Sequence, residues 1–186
     1  GVSCTKAIMV DRPDLNTTFN VTSSPFCVGI PTSLFTPTNP IASNNDVLEW
    51  QWDFKDGAFS NLSTPQRTYT TVGTYQVELN VLYTNGCTGT GTQTVVINPN
   101  PQIQATSPSD YCTGTVPVDL TSFVIPSTSG IISWSGTGVY TNGSTWYFDP
   151  NIAGEGTHQI CVIETYPTGC FDDTCFNISV FCAEIP

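Results

Sequence analysis

The sequence predicts an all-β protein made of two tandem β-sandwich domains with a short Pro-containing joint between them. Three observations carry that expectation. Ser3-Cys4, Gly86-Cys87 and Gly169-Cys170 recur at an interval of 83 residues, and Gly73-Thr74-Tyr75-Gln76-Val77 returns 83 positions later as Gly156-Thr157-His158-Gln159-Ile160. A repeat of that length is too long for a solenoid unit and suits a small self-contained domain. Apolar residues alternate with polar ones in several runs, turn residues punctuate the chain, and no segment holds a helical period over three turns.

Taken in order, residues 1–12 read as the last strand of a preceding repeat, because the residues after Cys4 match in character those after Cys87 and Cys170. Gly1-Val2-Ser3-Cys4 lacks the basic start and apolar stretch of a signal peptide, so the chain reads as a segment of a larger exported protein. The first domain spans residues 13–98. Leu48, Trp50, Trp52 and Phe54 alternate with Glu49, Gln51 and Asp53, which predicts a strand with one buried face. A second strand places Tyr75, Val77, Leu79, Val81 and Tyr83 inward; Thr84-Asn85-Gly86 turns, and residues 92–97 return. Asn98-Pro99-Asn100-Pro101 favours an extended, semi-rigid joint. The second domain, 101–181, repeats the plan with Ile132 and Trp134, then Ile160 and Val162, a turn at Tyr166-Pro167-Thr168-Gly169, and Phe176, Ile178 and Val180.

Composition narrows the function class. A net charge of −11 with only 4 Lys and Arg excludes nucleic acid as a partner, because phosphate neutralisation needs a basic face. Anionic membrane surfaces are disfavoured likewise, and no apolar run approaches the length of a membrane span. Domains this small bury only about 60–65% of their unfolded surface, so additional constraint is expected. Eight cysteines supply it and point to an oxidising, extracellular or cell-surface location.

Cys27 and Cys87 lie 60 positions apart, and Cys112 and Cys170, at equivalent places, lie 58 apart; both pairs are expected to close loops within their own domains. Cys161 and Cys175 flank residue 168 symmetrically and have outward parity, which predicts a cross-strand disulfide on the outer face of a hairpin. Cys4 and Cys182 remain unassigned.

No catalytic constellation can be assembled. His158 is the only histidine and sits at an inward strand position, where a structural role is expected; Asp172 and Asp173 are adjacent and point to opposite faces. Zinc lacks close CxxC pairs. Calcium is the serious alternative, since Asp46, Glu49, Asp53 and Asp56 cluster near one end of the first domain; no other cofactor is expected. Trp50, Trp134 and Trp146 have core parity, leaving Tyr140 and Tyr147 as the better exposed aromatics.

The sharpest local string is Trp52-Asp53-Phe54-Lys55-Asp56-Gly57, followed by Pro65, Tyr69 and Gly73-x-Tyr75-x-Val77-x-Leu79-x-Val81. Together these resemble the PKD (polycystic kidney disease) domain, with Lys55 in place of the usual glycine and Arg67 in place of the usual histidine. The second domain, through Trp134-Ser135-Gly136-Thr137-Gly138 and Ala153-Gly154-Glu155-Gly156-Thr157, is similar to the Ig-like, PKD-related repeats of giant adhesins of the SprB-like, gliding-motility type exported by type IX secretion. The resemblance implies a non-enzymatic stalk or adhesive region at the cell surface. Its partners would be a surface polysaccharide or other extracellular ligand and neighbouring repeats of the same chain. The alternative it implies is an accessory PKD-type module of a secreted polysaccharide- or protein-degrading enzyme.

Overall fold

The computed structural model describes residues 2–4, 17–22, 26–31, 34–38, 47–84, 86–127 and 130–181. The chain divides into two compact units, Gly1–Pro99 and Asn100–Pro186. Among the described residues, apart from one helical turn and one 3-10 turn, the regular structure is β, and the fold is all-β.

In the first unit, β1 (Val2–Cys4), β2 (Phe19–Val21), β3 (Phe35–Pro37), β4 (Val47–Asp53), β5 (Phe59–Ser60), β6 (Gly73–Tyr83) and β7 (Cys87–Ile97) form two sheets. One is five-stranded and antiparallel, in the order β1-β7-β6-β4-β5; β2 and β3 pair in the other. β6 and β7 are long because Tyr75 to Tyr83 alternate without a break and Gly86, at φ 81°, closes the turn between them. The core holds Phe19, Phe35, Trp52, Phe54 and Tyr69 with Val77, Leu79, Val81 and Val95. Its aromatic rings meet edge to face, Phe19 on Trp52 at 4.9 Å and Phe35 on Phe54 at 5.1 Å, a packing favoured by the ring quadrupole.

Three expectations are corrected in this unit. Leu48 is exposed, because the β4–β6 register shifts between Val47 and Glu49; the bulge turns Leu48 outward and restores alternation from Trp50 onward. Val2–Cys4, expected to close a preceding repeat, pairs antiparallel with Cys87–Gly89 and extends the first unit's own sheet; residues 5–12 lie outside the described residues. The third correction concerns cysteine. Cys27 bridges Asn98, just beyond the end of β7, whereas Cys87 is the first residue of that strand. Eleven residues of extended chain separate the two places by roughly 35 Å, several times the reach of a disulfide. Both cysteines are disulfide-bonded, but not to each other.

Glycine permits one close crossing. A Cβ at Gly91 would lie 1.9 Å from the Thr17 carbonyl oxygen, and one at Gly89 would lie 2.0 Å from the Thr17 hydroxyl. The two glycines let the chain at Thr17 run across the face of β7.

The second unit comprises β8 (Gln104–Ala105), β9 (Tyr111–Cys112), β10 (Val118–Asp119), a 3-10 turn (Leu120–Phe123), β11 (Val124–Ile125), β12 (Ile131–Gly136), β13 (Val139–Asn142), β14 (Thr145–Phe148), the helical turn α1 (Pro150–Ala153), β15 (Gly156–Thr165) and β16 (Phe171–Phe181). A four-stranded sheet β12-β15-β16-β9 is accompanied by β10-β14-β13 and by the pair β11-β8. Leu120, Trp134, Phe148, Ile160, Val162, Ile178 and Val180 form the core. Asp149 caps α1 by accepting the Asn151 N–H, Pro150 presets its first dihedral, and Gly154, at φ 77°, ends it.

Cys161 and Cys175 lie directly opposite in the β15–β16 register and are joined, with Cα atoms 4.1 Å apart. Cys112 pairs in parallel with Phe181 at the far end of β16, whereas Cys170 immediately precedes the strand's first residue. That again separates the two by roughly 35 Å. Cys170 is disulfide-bonded and Cys112 carries a free thiol, so the expected link between them is not made.

Candidate functional site

The turn after β4 organises the motif residues. Asp53 accepts the Lys55 backbone N–H at 2.8 Å and the Lys55 ammonium at 2.6 Å, and Lys55 also faces Glu78 at 3.5 Å. The ammonium bond holds the Asp53 carboxyl below the usual carboxylate range and pushes Lys55 up. Lys55 itself stands at φ 61°, the left-handed conformation that glycine adopts freely and lysine does not. Asp56 accepts the Ala58 N–H at 3.1 Å and the Arg67 guanidinium at 2.7 Å, while Gly57 takes φ 90°. Below this turn Trp52 donates its indole N–H to the Leu62 carbonyl at 2.9 Å, and the Tyr69 hydroxyl donates to the Phe54 carbonyl at 3.3 Å. Tyr69 is fully buried, and that burial pushes its phenol well above its ordinary value.

Of the four carboxylates considered for calcium, the three among the described residues, Glu49, Asp53 and Asp56, are therefore not gathered as one acidic group. Asp53 and Asp56 face Lys55 and Arg67, Glu49 is exposed on β4, and Asp46 lies outside the described residues. Among the described residues no group of three or more His, Cys, Asp or Glu side chains is arranged to hold a metal ion. His158 is half-buried, and its Nε2 meets the Gly154 carbonyl at 2.8 Å, tying β15 back to the end of α1. Trp134 is buried in the second core, with Phe176 at 6.4 Å. Gly73 begins β6, and Tyr75 donates its hydroxyl to Thr71 and packs against Tyr69 at 4.3 Å.

The sequence did not single out the concave surface of the first unit. A groove of about 230 Å³ lies over β4 and β6, lined by Thr17, Thr18, Thr36, Pro37, Trp50, Ser63, Thr64, Leu79, Val81 and Tyr83. No carboxylate, ammonium or guanidinium lines it. Hydroxyls surround one half-buried indole, that of Trp50, and the Thr17 and Tyr83 hydroxyls lie 3.5 Å apart within it. Such a surface suits a neutral ligand with one apolar face and many hydroxyls. Simple alternation assigns Trp50 wholly to the core, whereas its ring is only half-buried and lines the groove.

In the second unit Tyr140 and Tyr147 face each other across β13 and β14, stacked at 5.6 Å on the half-exposed side of that hairpin. Glu164, which alternation places in the position of Val81 one repeat earlier, is fully buried. Its Oε1 accepts the Ser127 N–H and hydroxyl, and a Cβ at Gly130 would stand 2.0 Å from it. Periodicity finds that position but gives no reason for a carboxylate there.

The string from Asp53 to Tyr69 and the β6 pattern now stand together in one folded unit. Residues 30–99 match the PKD domain family. A 64-residue stretch is 38% identical to a microbial collagenase of Vibrio alginolyticus, covering 34% of this chain and 8% of that protein. The chain thus spans a small fraction of that curated relative. Among solved structures, the PKD1 domain of the Vibrio cholerae metalloprotease PrtV aligns at 26% identity, over 44% of this chain and 94% of that one, with a TM-score of 0.37. Fibronectin(III)-like modules of Clostridium thermocellum CbhA align at 16% identity over 89% of this chain and 94% of theirs, with a TM-score of 0.44. Both units carry disulfide-bonded cysteines, as proteins of oxidising compartments do, and among the described residues no helix is long and apolar enough to cross a membrane.

Proposed function

We propose that this chain is a non-enzymatic structural and adhesive segment of a large exported cell-surface protein, of the kind used for attachment or gliding. The observation that carries this reading is the serial repetition of a disulfide-bonded β unit at an 83-residue interval. Repetition multiplies reach and contact surface, and it adds nothing to a single reaction centre. The acidic, lysine-poor surface keeps such a segment soluble and away from anionic partners.

Its partner in this reading is a neutral polysaccharide, and the contact on the first unit is the hydroxyl-lined groove at Trp50. The test is adsorption of the purified chain to insoluble polysaccharides of defined composition. The reading expects depletion from the supernatant by at least one neutral polymer, a several-fold weakening by Trp50→Ala, and no release of soluble sugar or peptide. Failure to bind any polymer, or release of soluble product, would contradict it.

The second reading is an accessory module beside the catalytic domain of a secreted hydrolase, favoured by the stretch shared with the microbial collagenase. The sequence flanking this segment in its own protein separates the two. Many further repeats at the same interval support the adhesin, and a catalytic domain within a few hundred residues supports the hydrolase.

A further inference from the structure

Cys27 and Cys112 occupy one place in two copies of a single plan. Cys27 bridges Asn98 in parallel, Cys112 pairs with Phe181 in parallel, and Asn98 and Phe181 are 83 residues apart, the interval of the repeat. Cys27 is disulfide-bonded; Cys112 carries a half-exposed free thiol. The same position is therefore oxidised in one copy and open in the other. Within its own unit, Cys161 and Cys175 are already joined, and Cys170 is bonded and sits at the opposite end of β16.

We infer that Cys112 is a half-cystine whose partner is the turn cysteine of another unit of the same repeat. Each unit carries one cysteine at the strand end, Cys27 or Cys112, and one directly after the hairpin glycine, Cys87 or Cys170. These stand at opposite ends of the longest strand, so a unit cannot close on itself through them. A strand-end thiol that cannot reach the turn cysteine of its own unit is left to that of another copy. The inference rests on the serial-copy reading above and is independent of adhesion.

The chemistry is thiol oxidation. A bond forms between the Cys112 Sγ and the partner's Sγ, two protons are lost, and two electrons pass to a protein disulfide of the dithiol–disulfide oxidoreductase class, which is reduced to its dithiol. The half-exposed position of Cys112 gives such an oxidant access.

Peptide mapping of the native protein without reduction, after free thiols have been alkylated, tests this. The expected result is a Cys112 peptide joined to a Gly-Cys turn peptide from outside residues 1–186 and released by reduction. A Cys112 peptide recovered alkylated, or joined to Cys182 or any other cysteine of residues 1–186, overturns the inference. In the isolated 186-residue chain, produced in an oxidising compartment, Cys112 is expected to take up alkylating reagent in the native state. Cys112→Ser is expected to abolish that labelling without altering the far-ultraviolet circular dichroism. Resistance of native Cys112 to alkylation overturns the inference as well, whereas lost polysaccharide binding with this link intact bears only on adhesion.

Discussion

Lys55 shows most directly how a residue departs from the PKD-domain pattern that the surrounding stretch matches, and how it is compensated. At φ 61° it holds a conformation that disfavours a side chain, and its ammonium bonds Asp53 and Glu78. Strain and attraction oppose each other, and the attraction is of the exposed, screened kind. Lys55→Gly is therefore expected to keep or raise the urea midpoint, while Lys55→Ala, which keeps the strain and loses the ion pair, lowers it. Equal midpoints for the two variants would contradict this account. Tyr69 tests burial in the same turn. Its folded-state value lies above the ordinary phenol value, so the stability it contributes is intact below about pH 10 and is lost as the pH rises beyond that. Tyr69→Phe is expected to cost about 1 kcal/mol at pH 8 through the lost bond to Phe54. It should also make the alkaline loss of stability shallower, as read by urea unfolding at a series of pH values. Parallel alkaline decline in the two proteins would show that Tyr69 does not carry the effect.

At the scale of elements, what is local in sequence was legible and what depends on the ends of strands was not. The β6–β7 hairpin and the opposition of Cys161 to Cys175 follow from alternation around a turn, which the chain states within thirty residues or fewer. Leu48 was misread because a bulge changes the face of every residue on one side of it and leaves no mark in composition. Cys27 and Cys112 were misread because loop length says nothing about which end of a strand a residue approaches, and a disulfide depends on that alone. The groove at Trp50 and the buried Glu164 were illegible for a similar reason, since each is made by segments distant in sequence. Gly91 provides the test of the crossing over β7. Gly91→Ala places a methyl against the Thr17 backbone and is expected to cost about 1–3 kcal/mol and to speed amide exchange in β7. Unchanged stability would mean that Thr17 does not cross there.

For the whole molecule, the cysteine count and the 83-residue repeat carried further than any single motif, because together they specify small domains in series and an oxidising compartment. The motif added the similarity of residues 30–99 to the PKD domain family. The central claim is that residues 1–99 and 100–186 are each a complete β unit with its own core. Scanning calorimetry of the two pieces, made separately in an oxidising compartment, tests it most directly. Each is expected to give its own cooperative unfolding transition; a piece that shows none, and folds only when joined to the other, would contradict the account.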